Sequence, residues 1–176
     1  ILFLIMTITA IQSNLVWCDQ NSNRASLQKQ MYESGKADIY VLPEMFSTGF
    51  CTGNPDFAET VLTDGSCVSL LWMKECALKL DAAIVGSVAV KLPEGCRNRL
   101  YFVFPDGSHQ FYDKRHLFTY GGEDKYFSAG DRRVIVEFRG WKFLLAVCYD
   151  LRIPKWLRNG LALNGVPAYD AMLLVA

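Results

Sequence analysis

Histidine is nearly absent from this sequence of 176 residues: it occurs at His109 and His116 only. None of the six cysteines (Cys18, Cys51, Cys67, Cys76, Cys96, Cys148) forms a Cys-x-x-Cys pair. Closed zinc sites draw four Cys or His ligands at short spacings, so a metal centre is not expected. The cysteine spacing is irregular, and a chain of this length has core enough without cross-links, so free thiols in a reducing cytoplasm are expected. An excess of charge is missing as well: 18 basic residues balance 18 acidic ones, and no Lys/Arg run occurs. No field therefore draws the chain to nucleic acid or to an anionic lipid surface. The apolar N-terminus, Ile1 to Ile5, has no basic residue before it and is too short to span a bilayer. Met6 is an alternative start, which would make residues 1–5 an upstream extension and 6–176 the domain. Internal repeats, low-complexity tracts and linkers are lacking too, so one domain is expected.

What is present is apolar: 51% of residues are hydrophobic and 20% charged, which suits a packed interior. Met6 to Gln12 alternates as a half-buried strand does. A helix capped by Asn21 or Ser22 runs to about Ser34 and ends at Gly35. Strands are expected over 38–43 and 83–90, with a helix over 68–80 between them. One hairpin turns at Asp106-Gly107, between 99–104 and 109–112, and a second at Arg139-Gly140, between 134–138 and 142–147. Pro154 opens a helix to about Leu163, and 169–176 is a further apolar strand. Such alternation indicates an α/β layered domain. The chain stops inside that last strand, so the domain is expected to be incomplete at its C-terminus.

Cys148 ends the apolar run Phe143 to Val147 and precedes Tyr149-Asp150-Leu151-Arg152-Ile153-Pro154. The run reads as a strand buried on both faces, and the segment after it as a turn into a helix. A thiol on such a corner sits at the mouth of a sheet, where following backbone N–H groups can face an oxyanion.

Three other segments place charge where apolar or neutral residues are expected. Glu44 follows the strand at 38–43, in the apolar and aromatic stretch Leu42 to Phe50. It is either a desolvated general base or a capping or ion-paired carboxylate. Lys114, in Tyr112-Asp113-Lys114-Arg115-His116-Leu117-Phe118, is either a cation lowering the pKa of a nearby thiol or part of a solvated turn. His116 is either a base for Cys148 or a structural histidine. Glu123, after Gly121-Gly122, is a second carboxylate for the site or belongs to a surface loop.

Taken in order, Leu42-Pro43-Glu44, the block 113–118, Glu123 and Cys148-Tyr149-Asp150-Leu151-Arg152 resemble the signature blocks of the carbon–nitrogen hydrolase (nitrilase) superfamily. The omega-amidase branch, which acts on 2-oxo acid amides such as 2-oxoglutaramate, is the most similar. The resemblance implies an αββα sandwich and a thiol amidohydrolase working through a cysteine thioester. By that resemblance Cys148 is the nucleophile, Glu44 the base, and Lys114 with the Tyr149 N–H the oxyanion donors. Glu123 positions Lys114 or the substrate. Phe46 and Phe118 wall the pocket, and Arg152 meets a substrate carboxylate or forms a structural ion pair with Asp150 or another helix. The chemistry needs no cofactor and no metal. The implied partner is a small-molecule amide, with a cytoplasmic homodimer for the full-length chain. The alternatives are another amidase or N-carbamoyl amidohydrolase of the superfamily, or an inactive truncated fragment.

Overall fold

The computed structural model describes residues 5–161 and 165–176; most of the expected extension at 1–5 lies outside them. The first half of the chain contains β1 (Ile8–Ala10), α1 (Gln20–Glu33), β2 (Ile39–Val41), β3 (Glu59–Thr60), α2 (Val68–Leu80) and β4 (Ala83–Leu92). The second half contains β5 (Gly95–Val103), β6 (His109–Asp113), β7 (Ile135–Phe138), β8 (Trp141–Val147), α3 (Pro154–Leu157) and β9 (Ala171–Val175).

Two sheets form. The larger has the order β1-β2-β4-β5-β6, with β3 beside the far end of β4, and the smaller has the order β7-β8-β9. The βα crossovers make β1, β2 and β4 parallel, and hairpins add β5 and β6 antiparallel. The smaller sheet is a β7–β8 hairpin joined by β9 parallel to β8.

Side-chain alternation explains the layering. On one face of the larger sheet Tyr40, Ile84, Val88 and Tyr101 pack against Leu27 and Met31 of α1 and Leu70, Met73 and Ala77 of α2. On the other face Ile39, Val85, Leu100 and Phe102 meet Val136, Phe143, Leu145 and Val147 of the smaller sheet. The remaining face of β8, Leu144 and Ala146, packs with Leu157 of α3. Burial on both faces is why the run before Cys148 is continuously apolar, each such side chain contributing about 1.5–3 kcal/mol over its exposed state. The layer order is helix–sheet–sheet–helix, the expected αββα arrangement, with α3 the only helix over the smaller sheet among the described residues.

Local chemistry accounts for the corrections. Helix α1 starts one residue after Asp19, whose carboxylate accepts from Ser22 N at 3.0 Å, so Asp19 is the cap and Asn21 and Ser22 lie in the first turn. The 139–140 hairpin forms as expected, because Arg139 (φ 48°) and Gly140 (φ 80°) both adopt the left-handed conformation of a two-residue turn. The helix opened by Pro154 stops at Leu157 rather than near Leu163; Leu161 instead bridges to Pro167, and Leu163 itself lies outside the described residues.

Candidate active site

Glu44 is delivered by the turn after β2. Met45 N donates to Ser87 Oγ at 2.8 Å and Phe46 N to Ser87 O at 3.0 Å, pinning the turn across β4. Glycine at 86 is what lets it lie so close: a Cβ there would meet Phe46 Cδ1 at 2.8 Å and Leu42 Cβ at 2.9 Å. The Glu44 carboxylate ends up buried, 8% exposed.

Lys114 leaves the end of β6 and is fully buried. Its Nζ donates to Glu44 Oε1 at 2.8 Å and to Glu123 Oε2 at 2.9 Å. Burial by itself works against the charge, but Glu44 and Glu123 outweigh it and hold the ammonium above its usual pKa. Glu123 opens a short 3-10 turn, is completely buried, and also accepts from Phe118 N at 2.7 Å. Asn98 on β5 joins the two carboxylates from the other side. Its Nδ2 donates to Glu44 Oε1 at 2.8 Å and to Glu123 Oε1 at 3.0 Å. The Phe50 ring faces Lys114 Nζ at 5.3 Å.

Cys148 is the first residue of a 3-10 turn, Cys148–Arg152, directly after β8. Its φ of 42° is left-handed, a conformation disfavoured for a side chain with a Cβ. The strained residue is half-buried at this strand-to-helix corner, against the core between the two sheets. The thiol pKa is pushed up to about 11, first by burial and next by the charge and hydrogen bond of Glu44, against the lowering effect of Lys114. Lys114 does lower the thiol pKa, as a nearby cation should, but burial and Glu44 outweigh it.

Asp150 braces this corner. Its Oδ2 accepts from Val147 N at 3.0 Å and Tyr112 OH at 2.8 Å. Its Oδ1 accepts from His116 N at 3.0 Å and lies 2.8 Å from His116 Nδ1. Tyr112 OH in turn accepts from Arg115 N at 3.0 Å and Trp156 Nε1 at 3.2 Å. The Lys114 loop and the Cys148 turn are thus fastened to one buried carboxylate.

The structure brings Glu44, Lys114, Glu123 and Cys148 into one cluster. Phe118 lies beside it, its ring 6.4 Å from Phe50 and 5.4 Å from Tyr149. Phe46 does not join them: it is buried against α2, 5.5 Å from Trp72, and Phe50 is the aromatic side chain facing Lys114. Arg152 is exposed, and both oxygens of Asp150 are engaged by other groups, so an ion pair between Arg152 and Asp150 does not form. His116 bonds to Asp150 and meets the Trp156 ring at 5.6 Å. Sequence reading missed Asn98, although the signal was present. Asn98, Leu100 and Phe102 share one face of β5, so a lone amide sits on an otherwise apolar stripe.

Known proteins resemble this chain in sequence and in fold. The chain is 42% identical over 171 residues to the omega-amidase YafV of Yersinia enterocolitica, covering 97% of this chain and 62% of that protein. It is 38% identical over 129 residues to the 2-oxoglutaramate amidase of Bacillus subtilis, covering 72% of this chain and 49% of that one. It superimposes with a TM-score of 0.90, at 38% identity, on a CN-hydrolase superfamily protein of Xanthomonas campestris crystallised with an arsenic adduct in its active site. That match covers 97% of this chain and 64% of that one. The chain thus spans a little under two thirds of the length of the omega-amidase relatives it matches. The carbon-nitrogen hydrolase profile matches residues 7–171, nearly the whole chain. The chain belongs to the carbon-nitrogen hydrolase family.

Proposed function

We propose that this chain carries the catalytic centre of a thiol amidohydrolase that converts the terminal amide of a small 2-oxo acid amide, such as 2-oxoglutaramate, into the acid and ammonia. One observation carries the proposal: a buried ammonium, Lys114, held between Glu44 and Glu123 beside the Cys148 thiol. The substrate class is supported by the names of the omega-amidase and 2-oxoglutaramate amidase relatives.

With a thiol pKa near 11, little thiolate exists at neutral pH, so proton removal must accompany attack. Glu44 takes the proton as sulfur adds to the amide carbonyl. Lys114 has three N–H donors, of which Glu44 and Glu123 take two, leaving one for the oxyanion. The Tyr149 N–H, in the first turn after the nucleophile, is the second donor. Glu44 then protonates the departing ammonia, and a thioester remains on Cys148. Water, deprotonated by Glu44, adds to the thioester and releases the acid. Phe118 walls the pocket and Arg152 meets the substrate carboxylate in a two-point fork. No metal or cofactor takes part. The reading extends to a cytoplasmic homodimer. Separately, among the described residues no helix is long and apolar enough to cross a membrane.

The deciding experiment measures ammonia from 2-oxoglutaramate, from N-carbamoyl amino acids and from simple nitriles. Preferential turnover of the first, with an acyl adduct on wild type that vanishes in Cys148→Ala, is the expected result. Preference for a carbamoyl substrate would replace the substrate assignment, and an adduct surviving in Cys148→Ala would remove the nucleophile.

A further inference from the structure

Away from the triad, two half-buried thiols meet. Cys18 Sγ and Cys51 Sγ lie 2.7 Å apart, inside van der Waals contact for two sulfur atoms and a short travel from the ~2.05 Å of a covalent S–S bond. Both partners are anchored next to the sulfurs. Cys18 N donates to Thr48 O at 2.8 Å, and Cys51 N to Gly49 O at 2.6 Å. Trp17 lies against Gly49, where a Cβ would meet its ring at 3.0 Å. Cys18 also holds a left-handed φ of 59°. The other thiols differ: Cys67, Cys76 and Cys96 are buried, and Cys148 belongs to the triad.

We infer that Cys18 and Cys51 form a reversible disulfide site, closed by a hydroperoxide or a small-molecule disulfide and independent of the amidase chemistry. In the peroxide route the Cys51 sulfur attacks a peroxide oxygen and the O–O bond breaks, giving a sulfenic acid, while the departing oxygen takes the thiol proton and leaves as water, or as an alcohol from an organic hydroperoxide. The Cys18 sulfur then attacks the Cys51 sulfur, and the hydroxyl leaves as a second water with the Cys18 proton. Two thiols lose two electrons and the peroxide gains them. Either sulfur can attack first and close the same bond; with a small-molecule disulfide the first attack gives a mixed disulfide and one free thiol, and the second cysteine sulfur then displaces the other thiol. The bond ties the segment before α1 to the loop that carries Glu44 and Phe50, closing a ring between positions 33 residues apart.

The test uses the protein with Cys148→Ala, so that the nucleophile itself cannot oxidise. It is treated with hydrogen peroxide or with oxidised glutathione, alkylated, digested and mapped by mass spectrometry. The expected result is a linked Cys18–Cys51 peptide pair, lighter by two hydrogens and released by dithiothreitol. Its melting midpoint should rise by about 5–10 °C on oxidation. Cys18→Ser and Cys51→Ser should each lose both the link and the rise; if one fails to fold, peptide mapping of the parent still decides. Cys18 and Cys51 both recovered alkylated, carrying separate adducts, or linked to other cysteines would overturn the inference.

Discussion

Asn98 Nδ2 stands between two carboxylates, 2.8 Å from Glu44 Oε1 and 3.0 Å from Glu123 Oε1, and so closes a ring that Lys114 closes from the other side. Glu44 Oε1 is therefore held by an amide and an ammonium together, on the carboxylate that also bonds the Cys148 thiol.

Removing the amide should cost activity more than stability. Asn98→Leu deletes two hydrogen bonds to charged acceptors, about 1.5–3 kcal/mol each if fully lost. We expect kcat to fall about 10–100-fold with circular dichroism unchanged. A variant with wild-type kcat would show that Asn98 only fills space.

Lys114 is the converse case. Lys114→Met leaves two buried carboxylates without their cation, a change that typically costs about 3–5 kcal/mol. Turnover should vanish, and denaturant unfolding should shift by an amount in that range. Normal stability with no turnover would mean that the pocket floods with water and solvates the pair.

Glu44→Gln separates thiol acidity from catalysis. After burial, the Glu44 charge is the largest cause raising the Cys148 pKa, so the variant should ionise at lower pH. Wild-type alkylation by iodoacetamide should climb about tenfold per pH unit above neutrality and level off near the value of about 11. In Glu44→Gln the curve should move to lower pH while hydrolysis is lost. An unmoved curve would mean that Glu44 does not face the thiol. The linked effect on stability has a definite sign. The folded pKa lies above the ~8.5 of an unfolded cysteine, so the wild-type contribution is complete below that value and is lost as pH rises toward 11.

Gly86→Ala tests the crossing of the Glu44 turn over β4. The added methyl falls within 2.8 Å of Phe46 and 2.9 Å of Leu42, an overpacking that typically costs about 1–3 kcal/mol. Melting temperature and kcat should drop together, because the displaced Phe46 drags Glu44 with it. Loss of stability with full activity would show that the turn adjusts without moving the carboxylate.

Much of the architecture was legible residue by residue. The run 143–147 had to be a two-sided buried strand, helix 68–80 was read to its ends, and two turn dipeptides marked the β5–β6 and β7–β8 hairpins, while the β4–β5 turn between Leu92 and Gly95 was not read. The short helix after Pro154 was overextended because its first turn reads like the start of a longer one. Phe46 and Phe50 could not be told apart as pocket residues: both follow Glu44, and which one turns inward depends on the left-handed Met45 and the contact with Gly86.

By itself the sequence determined the strands, the turns and the order of the acidic, basic and thiol groups, because apolar periodicity and turn chemistry are local properties. Only the tertiary structure decided who meets whom. Lys114 finds Glu44 across 70 residues, Asn98 bridges two carboxylates, and Asp150 fastens two loops. It also set the balance on the thiol: burial and the neighbouring Glu44 push the Cys148 pKa up to about 11 against the lowering effect of Lys114. Such sums of charge and burial depend on distances in space, which spacing along the chain does not encode.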